Sequence, residues 1–114
     1  MDGSDPHIHV TLDVVRSAAA VRDRMAATWG LVADLPSVVT TGCGRSAPFA
    51  MTSVRPEKVT CLACREHAGR QHRRYADQLE SLARMPGAVV SAAQAAPAAA
   101  KHRDLAARFS TWPG

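Results

Sequence analysis

The sequence is poor in the large apolar side chains that usually build a hydrophobic core. Leucine, isoleucine, valine and phenylalanine together make 21 of the 114 residues, and only five residues are aromatic. Alanine supplies 22 residues of the 46% hydrophobic share, and an alanine side chain buries little apolar area. A chain of this length forms one domain. We expect it to need a further source of stability, such as a metal ion, a partner or a second copy of itself.

Long apolar runs are also missing. No stretch of about 18 apolar residues occurs, which excludes a membrane-spanning helix of the usual length. The first residues are acidic and lack the basic and apolar regions of a signal peptide. We therefore expect a cytoplasmic protein without membrane contact. The three cysteines are an odd number, which speaks against a disulfide framework.

The net charge of +4 is concentrated in one part of the chain. Residues 55–74 contain six cations and two anions, whereas eight cations and eight anions balance elsewhere. The basic character therefore belongs to a window of twenty residues. The same window contains two of the three cysteines.

The N-terminal half shows one helical pattern and several strand patterns. Alternation of apolar and polar residues predicts a short strand over 7–12, and Asp13 is a suitable N-cap for a helix that follows. Apolar residues at helical spacing predict an amphipathic helix over 14–29. The members of this stripe are Val14, Ala18, Val21, Met25 and Trp29. Residues prone to β-structure predict short strands at 35–41 and 47–54, on either side of a glycine-rich turn.

The C-terminal half is helical in pattern. Apolar spacing predicts a helix from Cys64 to Arg84, which the following Pro86 and Gly87 end. Alanine-rich residues 88–100 are typical of a linker, and the pattern over 98–109 predicts a last helix. These elements make a small α+β fold. We divide it into an N-terminal strand and helix (1–35), a hairpin–helix module (36–86), and an alanine-rich linker with a possible C-terminal helix (87–114).

The cysteine spacing predicts a zinc site. Cys61 and Cys64 form a C-x2-C pair at the start of the predicted helix, and Cys43 lies 18 residues earlier in the glycine-rich turn. A C-x2-C turn can direct both sulfurs at one tetrahedral Zn²⁺. Buried apolar thiols and a redox-active pair are the other interpretations of these cysteines.

A structural zinc ion requires a fourth ligand, for which the sequence offers histidines. We expect His67, because it follows Cys64 by three residues and belongs to the same helical turn. His7 and His9 on the predicted strand are alternatives that tertiary structure would have to bring near. His72 comes after them, and His102 in the tail is the least favoured.

The same residues carry a resemblance to known proteins. Thr41–Arg45, Met51–Ser53 and Val59–Arg65 together resemble short zinc-binding proteins of actinobacteria and their phages, which often carry a CG…T…VTCxxCR pattern. The cysteine spacing also resembles a treble-clef finger of the GATA kind, C-x2-C-x17-C-x2-C. This resemblance covers residues 40–75 and implies that the three cysteines are zinc ligands. The chain departs from the GATA pattern at Thr40, where a histidine from elsewhere must replace the first cysteine.

The functional interpretation follows from the charge. Four arginines of the predicted helix are candidates for contacts with nucleic-acid phosphates, because guanidinium groups bind phosphate in a bidentate way. They are Arg65, Arg70, Arg73 and Arg74. The window is followed by a single aromatic residue, Tyr75, so stacking on DNA or RNA bases is poorly supported. A solvated basic face that keeps the chain soluble is the plainer interpretation.

No set of residues resembles a catalytic site, and no small-molecule substrate is evident. We therefore expect a non-enzymatic accessory or regulatory factor that binds zinc and nucleic acid. The alternative is a protein-interaction module or a homodimer. It would dock through the stripe of helix 14–29 or through the tail residues Leu105, Phe109 and Trp112.

Overall fold

The described chain contains one small hairpin and two long helices. A computed structural model describes residues 6–16 and 38–111. Strand β1 spans Val38–Thr40, strand β2 Ser46–Pro48, helix α1 Leu62–Ala83 and helix α2 Ala92–Ser110, and a 3-10 turn at Phe49–Met51 follows β2. The two strands are antiparallel, with Val39 opposite Ala47. This is the α+β architecture that the sequence predicts. In the described ranges, no helix has the length and hydropathy to cross a bilayer.

The N-terminal segment is extended, as the alternating pattern predicts, and it lies between the hairpin and the start of α1. Isolated bridges connect His9 with Thr52 and Thr11 with Thr41. The Ile8 carbonyl accepts hydrogen bonds from the backbone N–H groups of residues 60 and 61, at 3.0 and 3.1 Å. Hydrogen bonds on both sides therefore hold the segment in register.

A helix begins directly after this segment. The Asp13 carboxylate accepts a hydrogen bond from the Arg16 backbone N–H at 3.0 Å, which is the N-cap contact expected from the sequence. Val14 is helical and fully buried. The remainder of the helix predicted over 14–29 lies outside the described residues.

Small side chains let α1 and α2 pack closely along their length. Helix α1 buries Cys64, Ala68, His72 and Ala76, which follow each other at intervals of four residues and so lie on one face. The facing side of α2 buries Ala95, Ala99, Ala106 and Phe109. The buried cluster consists of Val10, Val14, Val59, Cys64, Ala68 and Phe109. The scarcity of large apolar residues in the sequence thus gives a core with few large side chains.

Helix α2 begins earlier than expected. The sequence favours a linker over 88–100, but the helix starts at Ala92 and continues through Pro97. A capping box explains the start, because the Ser91 hydroxyl accepts from the Gln94 backbone N–H and the Gln94 side chain accepts from the Ser91 backbone N–H. Pro97 removes one backbone hydrogen bond. Packing of the buried alanines on α1 offsets that loss.

A buried histidine pair connects the two helices. His72 on α1 is only 2% exposed, and its Nδ1 lies 2.9 Å from Nδ1 of His102 on α2. At this distance one ring donates a proton and the other accepts it, so at most one of the two rings is protonated on both nitrogens in the bonded pair. The His72 ring also stacks on Phe109, with 5.8 Å between ring centroids. Burial, together with the charge that His102 carries when protonated, lowers the pKa of His72 to about 4.

This pair predicts a pH-dependent stability. Between pH 6.5 and pH 4 the unfolded chain protonates His72 more readily than the folded chain, so the free energy of unfolding falls as the pH falls. We expect His72 to contribute a loss of roughly 2–3 kcal/mol over that window. Urea unfolding at a series of pH values measures this loss. His72→Leu should flatten the profile, and His7→Ala should leave it as in the parent protein. Parallel profiles for the parent and His72→Leu would contradict the prediction.

Candidate metal centre

Three separate parts of the fold each contribute to one cluster of sulfur and nitrogen atoms. Cys43 lies in the turn between β1 and β2, Cys61 is the N-cap residue of α1, and Cys64 lies in the first turn of α1. His9 comes from the extended N-terminal segment. Within the described ranges, these four residues form the group that could hold a metal ion.

The distances in the cluster suit a tetrahedral site. His9 Nδ1 lies 3.4 Å from Cys64 Sγ and 3.7 Å from Cys43 Sγ. All four candidate ligand atoms lie within 4.8 Å of one another. Typical zinc bond lengths give tetrahedral edges of about 3.5 Å between sulfur and nitrogen and about 3.8 Å between two sulfurs. The cluster therefore needs only small side-chain movements to surround one ion of that size.

The backbone of the glycine-rich turn at residues 42–44 positions Cys43 in the cluster. Gly44 has φ of +89°, which favours glycine and allows the tight turn after Cys43. The Gly42 N–H donates to the Val10 carbonyl at 2.9 Å, which holds the turn against the N-terminal segment. A Cβ atom at Gly42 would lie 2.7 Å from Cδ2 of His67, so a larger residue at this position would push the turn away from α1. The two glycines thus allow the turn to place Cys43 close to His9 and to the start of α1.

The thiols have very different proton affinities. Burial raises the pKa of Cys43, but hydrogen bonds from the Thr41 hydroxyl, the Arg45 backbone and the two neighbouring thiols lower it to about 7 overall. Burial raises the pKa of the Cys64 thiol to about 12. The Cys64 thiolate therefore requires a compensating positive charge beside it. A metal ion at the centre of the cluster would supply that charge.

The structure brings the three expected cysteines together but selects a different histidine. His67, the expected fourth ligand, directs Nε2 at the Leu12 carbonyl, 2.7 Å away, and is outside the cluster. The Nδ1 atom of His7 lies 3.5 Å from the Thr60 hydroxyl, and His72 pairs with His102. His9 takes the fourth position through tertiary structure. The one sequence feature that indicates His9 is its position on the predicted N-terminal strand. That feature is weaker than the short spacing between Cys64 and His67, and so the sequence favours His67.

Arg65, one of the expected phosphate contacts, is buried. It is 2% exposed, and its guanidinium donates to four backbone carbonyls. Those carbonyls belong to Pro56, Val59, Arg108 and Thr111, at 2.5–2.8 Å. The last two are at the C-terminal end of α2, where a cation offsets the helix dipole. Arg65 therefore connects the loop before α1 to α2 and is not available at the surface for phosphate.

The other three expected contacts remain on the surface. Arg70, Arg73 and Arg74 are exposed, and in the described part of the chain their side chains form no ion pair or hydrogen bond. The same helix carries three acids, of which Asp77 and Glu80 are both bound by Arg103 of α2 and Glu66 forms no ion pair among the described residues. The exposed face of α1 therefore keeps an excess of positive charge.

Comparison with known proteins gives no relative from which a role could be transferred. No protein-family model matches the chain, and no match is found among curated proteins or solved structures. The resemblance to short zinc-binding proteins and to the treble clef therefore stays a prediction.

The cluster predicts which histidine matters for metal binding. His9→Ala should weaken zinc affinity by about 100-fold or more, because even outer hydrogen-bond partners of metal ligands are worth 10–100-fold. His67→Ala is the matched control and should keep the affinity within a few-fold, because it removes a hydrogen bond to the Leu12 carbonyl and no candidate ligand atom. Competition against a chromophoric chelator measures both constants. A larger loss in His67→Ala than in His9→Ala would contradict the assignment.

Proposed function

We propose that the chain is a non-enzymatic protein that holds one structural Zn²⁺ and contacts nucleic acid through the exposed basic face of α1. The observation that carries the zinc proposal is the convergence of His9, Cys43, Cys61 and Cys64. Three thiolates with one imidazole are a common ligand set of structural zinc. Four protein ligands complete the tetrahedron and leave no position for substrate, which supports a structural role.

Zinc in this cluster would compensate for the thin core. The four residues come from the N-terminal segment, the hairpin turn and the start of α1, so one ion would join all three. Zinc binding to small finger peptides is worth an apparent free energy of roughly 10–16 kcal/mol. The net stability of a folded domain is about 5–15 kcal/mol. Binding of the ion would therefore stabilise this region by an amount comparable to the whole net stability of a domain.

Native mass spectrometry with a matched thermal unfolding experiment tests the zinc proposal. We expect one zinc ion per chain, and removal of the ion with a chelator should abolish the cooperative unfolding transition. Addition of Zn²⁺ should restore it. A metal-free protein that unfolds at the same temperature as the parent would contradict the proposal.

Three features support contact with nucleic acid. Arg70, Arg73 and Arg74 are exposed and carry no ion pair among the described residues. Arg103 pairs with Asp77 and Glu80 and so offsets one of the two negative charges that would otherwise reduce the charge of this face. Tyr75 is 37% exposed and is the one exposed large aromatic residue in the described ranges. This composition suits phosphate contacts along a duplex better than base stacking on a single strand.

Duplex DNA binding across a salt series tests this contact. Three phosphate contacts predict that log K falls with log salt at a slope of roughly −3. Replacement of Arg70, Arg73 and Arg74 by glutamine should abolish binding at physiological salt. Replacement of Lys58, Arg84 and Lys101 by glutamine is the matched control, since it removes the same charge from other positions. Equal losses in the two triple variants, or no salt-dependent binding in the parent, would contradict the contact.

A protein-interaction role is the second candidate. Phe109 is buried in the core and is not available for docking, and Trp112 lies outside the described residues. Exposed apolar side chains gather instead around the connection between α1 and α2. They are Leu82, Met85, Val89 and Val90. Sedimentation of the parent and of Val89→Ser over a range of concentrations distinguishes self-association through this connection from a monomer.

A further inference from the structure

A cleft of about 430 Å³ lies between α1 and the C-terminal end of α2. Arg70 and Arg73 line it on the α1 side, and Phe109 and Ser110 line it on the α2 side. Neither arginine has an ion-pair partner among the described residues. The cleft therefore offers two available guanidinium groups within a concave space, which a flat helix face does not.

The charge of the cleft is positive in spite of two opposing features. Glu66 is the one acid in its lining, against the exposed Arg70 and Arg73, so the groups that a ligand can reach carry a net charge of about +1. The carbonyls at the end of α2 would also oppose an anion. Arg65 binds the carbonyls of residues 108 and 111, at 2.8 and 2.7 Å, and so cancels much of that effect.

Gly69 is buried beside the cleft and lies close to Arg73. A Cβ atom built there would lie 3.4 Å from Arg73 Nη1, 3.7 Å from the Ala106 carbonyl oxygen and 3.8 Å from Ser110 Oγ. The Ser110 hydroxyl donates to that carbonyl at 2.9 Å. The donors that the cleft offers to an anion are therefore the two arginines, and the glycine leaves room for the Arg73 guanidinium.

One exposed apolar side chain adjoins the two arginines. Leu62 lines the cleft and is 62% exposed, whereas the Phe109 ring is buried beneath it. The size of the cleft is within the range of small-ligand sites. A ligand that has both a phosphate group and an apolar, planar part could contact the two arginines and Leu62 at the same time.

We propose that this cleft binds the phosphate monoester of a nucleotide, at the end of a nucleic-acid strand or free, with Arg70 and Arg73 on the phosphate and Leu62 against the nucleoside. A phosphate monoester carries a charge of about −1.5 to −2 at pH 7, whereas an internal diester carries about −1, so the two arginines attract the monoester more strongly. Its three terminal oxygens can also accept bidentate contacts from two arginines. For a strand end, the inference rests on the nucleic-acid contact proposed above.

Anisotropy titrations with three forms of one short duplex test the inference. One form has terminal phosphates, one has terminal hydroxyls, and one is covalently closed at both ends. We expect the phosphorylated form to bind roughly tenfold more tightly than the other two, as one charge-assisted contact predicts. Arg73→Gln should remove the preference. Arg84→Gln is the matched control, because it removes an arginine just after the same helix and outside the cleft, and it should keep the preference.

The variant Gly69→Ala distinguishes a loss of phosphate binding in the cleft from a loss of overall stability. The added methyl group would lie 3.4 Å from Arg73 Nη1 and restrict that guanidinium, so the preference for phosphorylated ends should fall several-fold while the melting temperature rises or stays constant. A titration with a nucleoside monophosphate identifies the source, since direct binding that depends on Arg73 supports a site for free nucleotides. Equal affinity for all three duplexes, with no binding of the nucleoside monophosphate, would overturn the inference and leave the salt-dependent contact intact. No duplex binding and no nucleotide binding would overturn both.

Discussion

The position of the N-terminal segment is the constraint on which the rest of this structure depends. Residues 8–12 form backbone hydrogen bonds with the hairpin on one side and with the residues before α1 on the other. Because side chains alternate along an extended chain, that register sends His9 to the cysteine cluster and determines where Val10 enters the core. A shift of one residue would exchange the two faces. The metal centre and the hydrophobic core are thus two results of the same set of hydrogen bonds.

Two kinds of arginine occur on α1, and their difference explains why net charge alone is a poor guide to binding. Arg65 uses its charge internally, where four carbonyls and the Phe109 ring, 5.6 Å from its guanidinium carbon, surround it. A planar guanidinium can serve four acceptors at once, which a lysine cannot. Arg70 and Arg73 have the opposite environment, because they face solvent beside the cleft. The charge that remains for a ligand is therefore smaller and more localised than the basic window suggests.

Much of this fold could be predicted from local patterns. Helix α1, the Asp13 cap and the short hairpin follow from periodicity and turn residues, and the three cysteines follow from metal-ligand spacing. His9 could not be chosen over His67, because the choice depends on the route of the chain between positions far apart in sequence. Arg65 has the same helical spacing as its exposed neighbours and becomes buried only where α2 covers it. The predicted start of α2 lies too late in the chain. The alanine-rich composition of residues 88–100 indicates a linker, whereas the capping box of Ser91 and Gln94 starts the helix at Ala92.

The adjacency of Cys64 and Arg65 has a consequence for modularity. Cys64 belongs to the candidate metal cluster, and Arg65 binds carbonyls at the C-terminal end of α2. The N-terminal segment and the end of α2 therefore both contact this pair of consecutive residues. Residues 36–86 on their own would lack both His9 and the carbonyls of Arg108 and Thr111. The cluster of His9 and the three cysteines is therefore not contained within a single short segment that could fold by itself. A recombined or engineered protein would need the whole stretch from Ile8 to Thr111 to keep both the cluster and the contacts of Arg65.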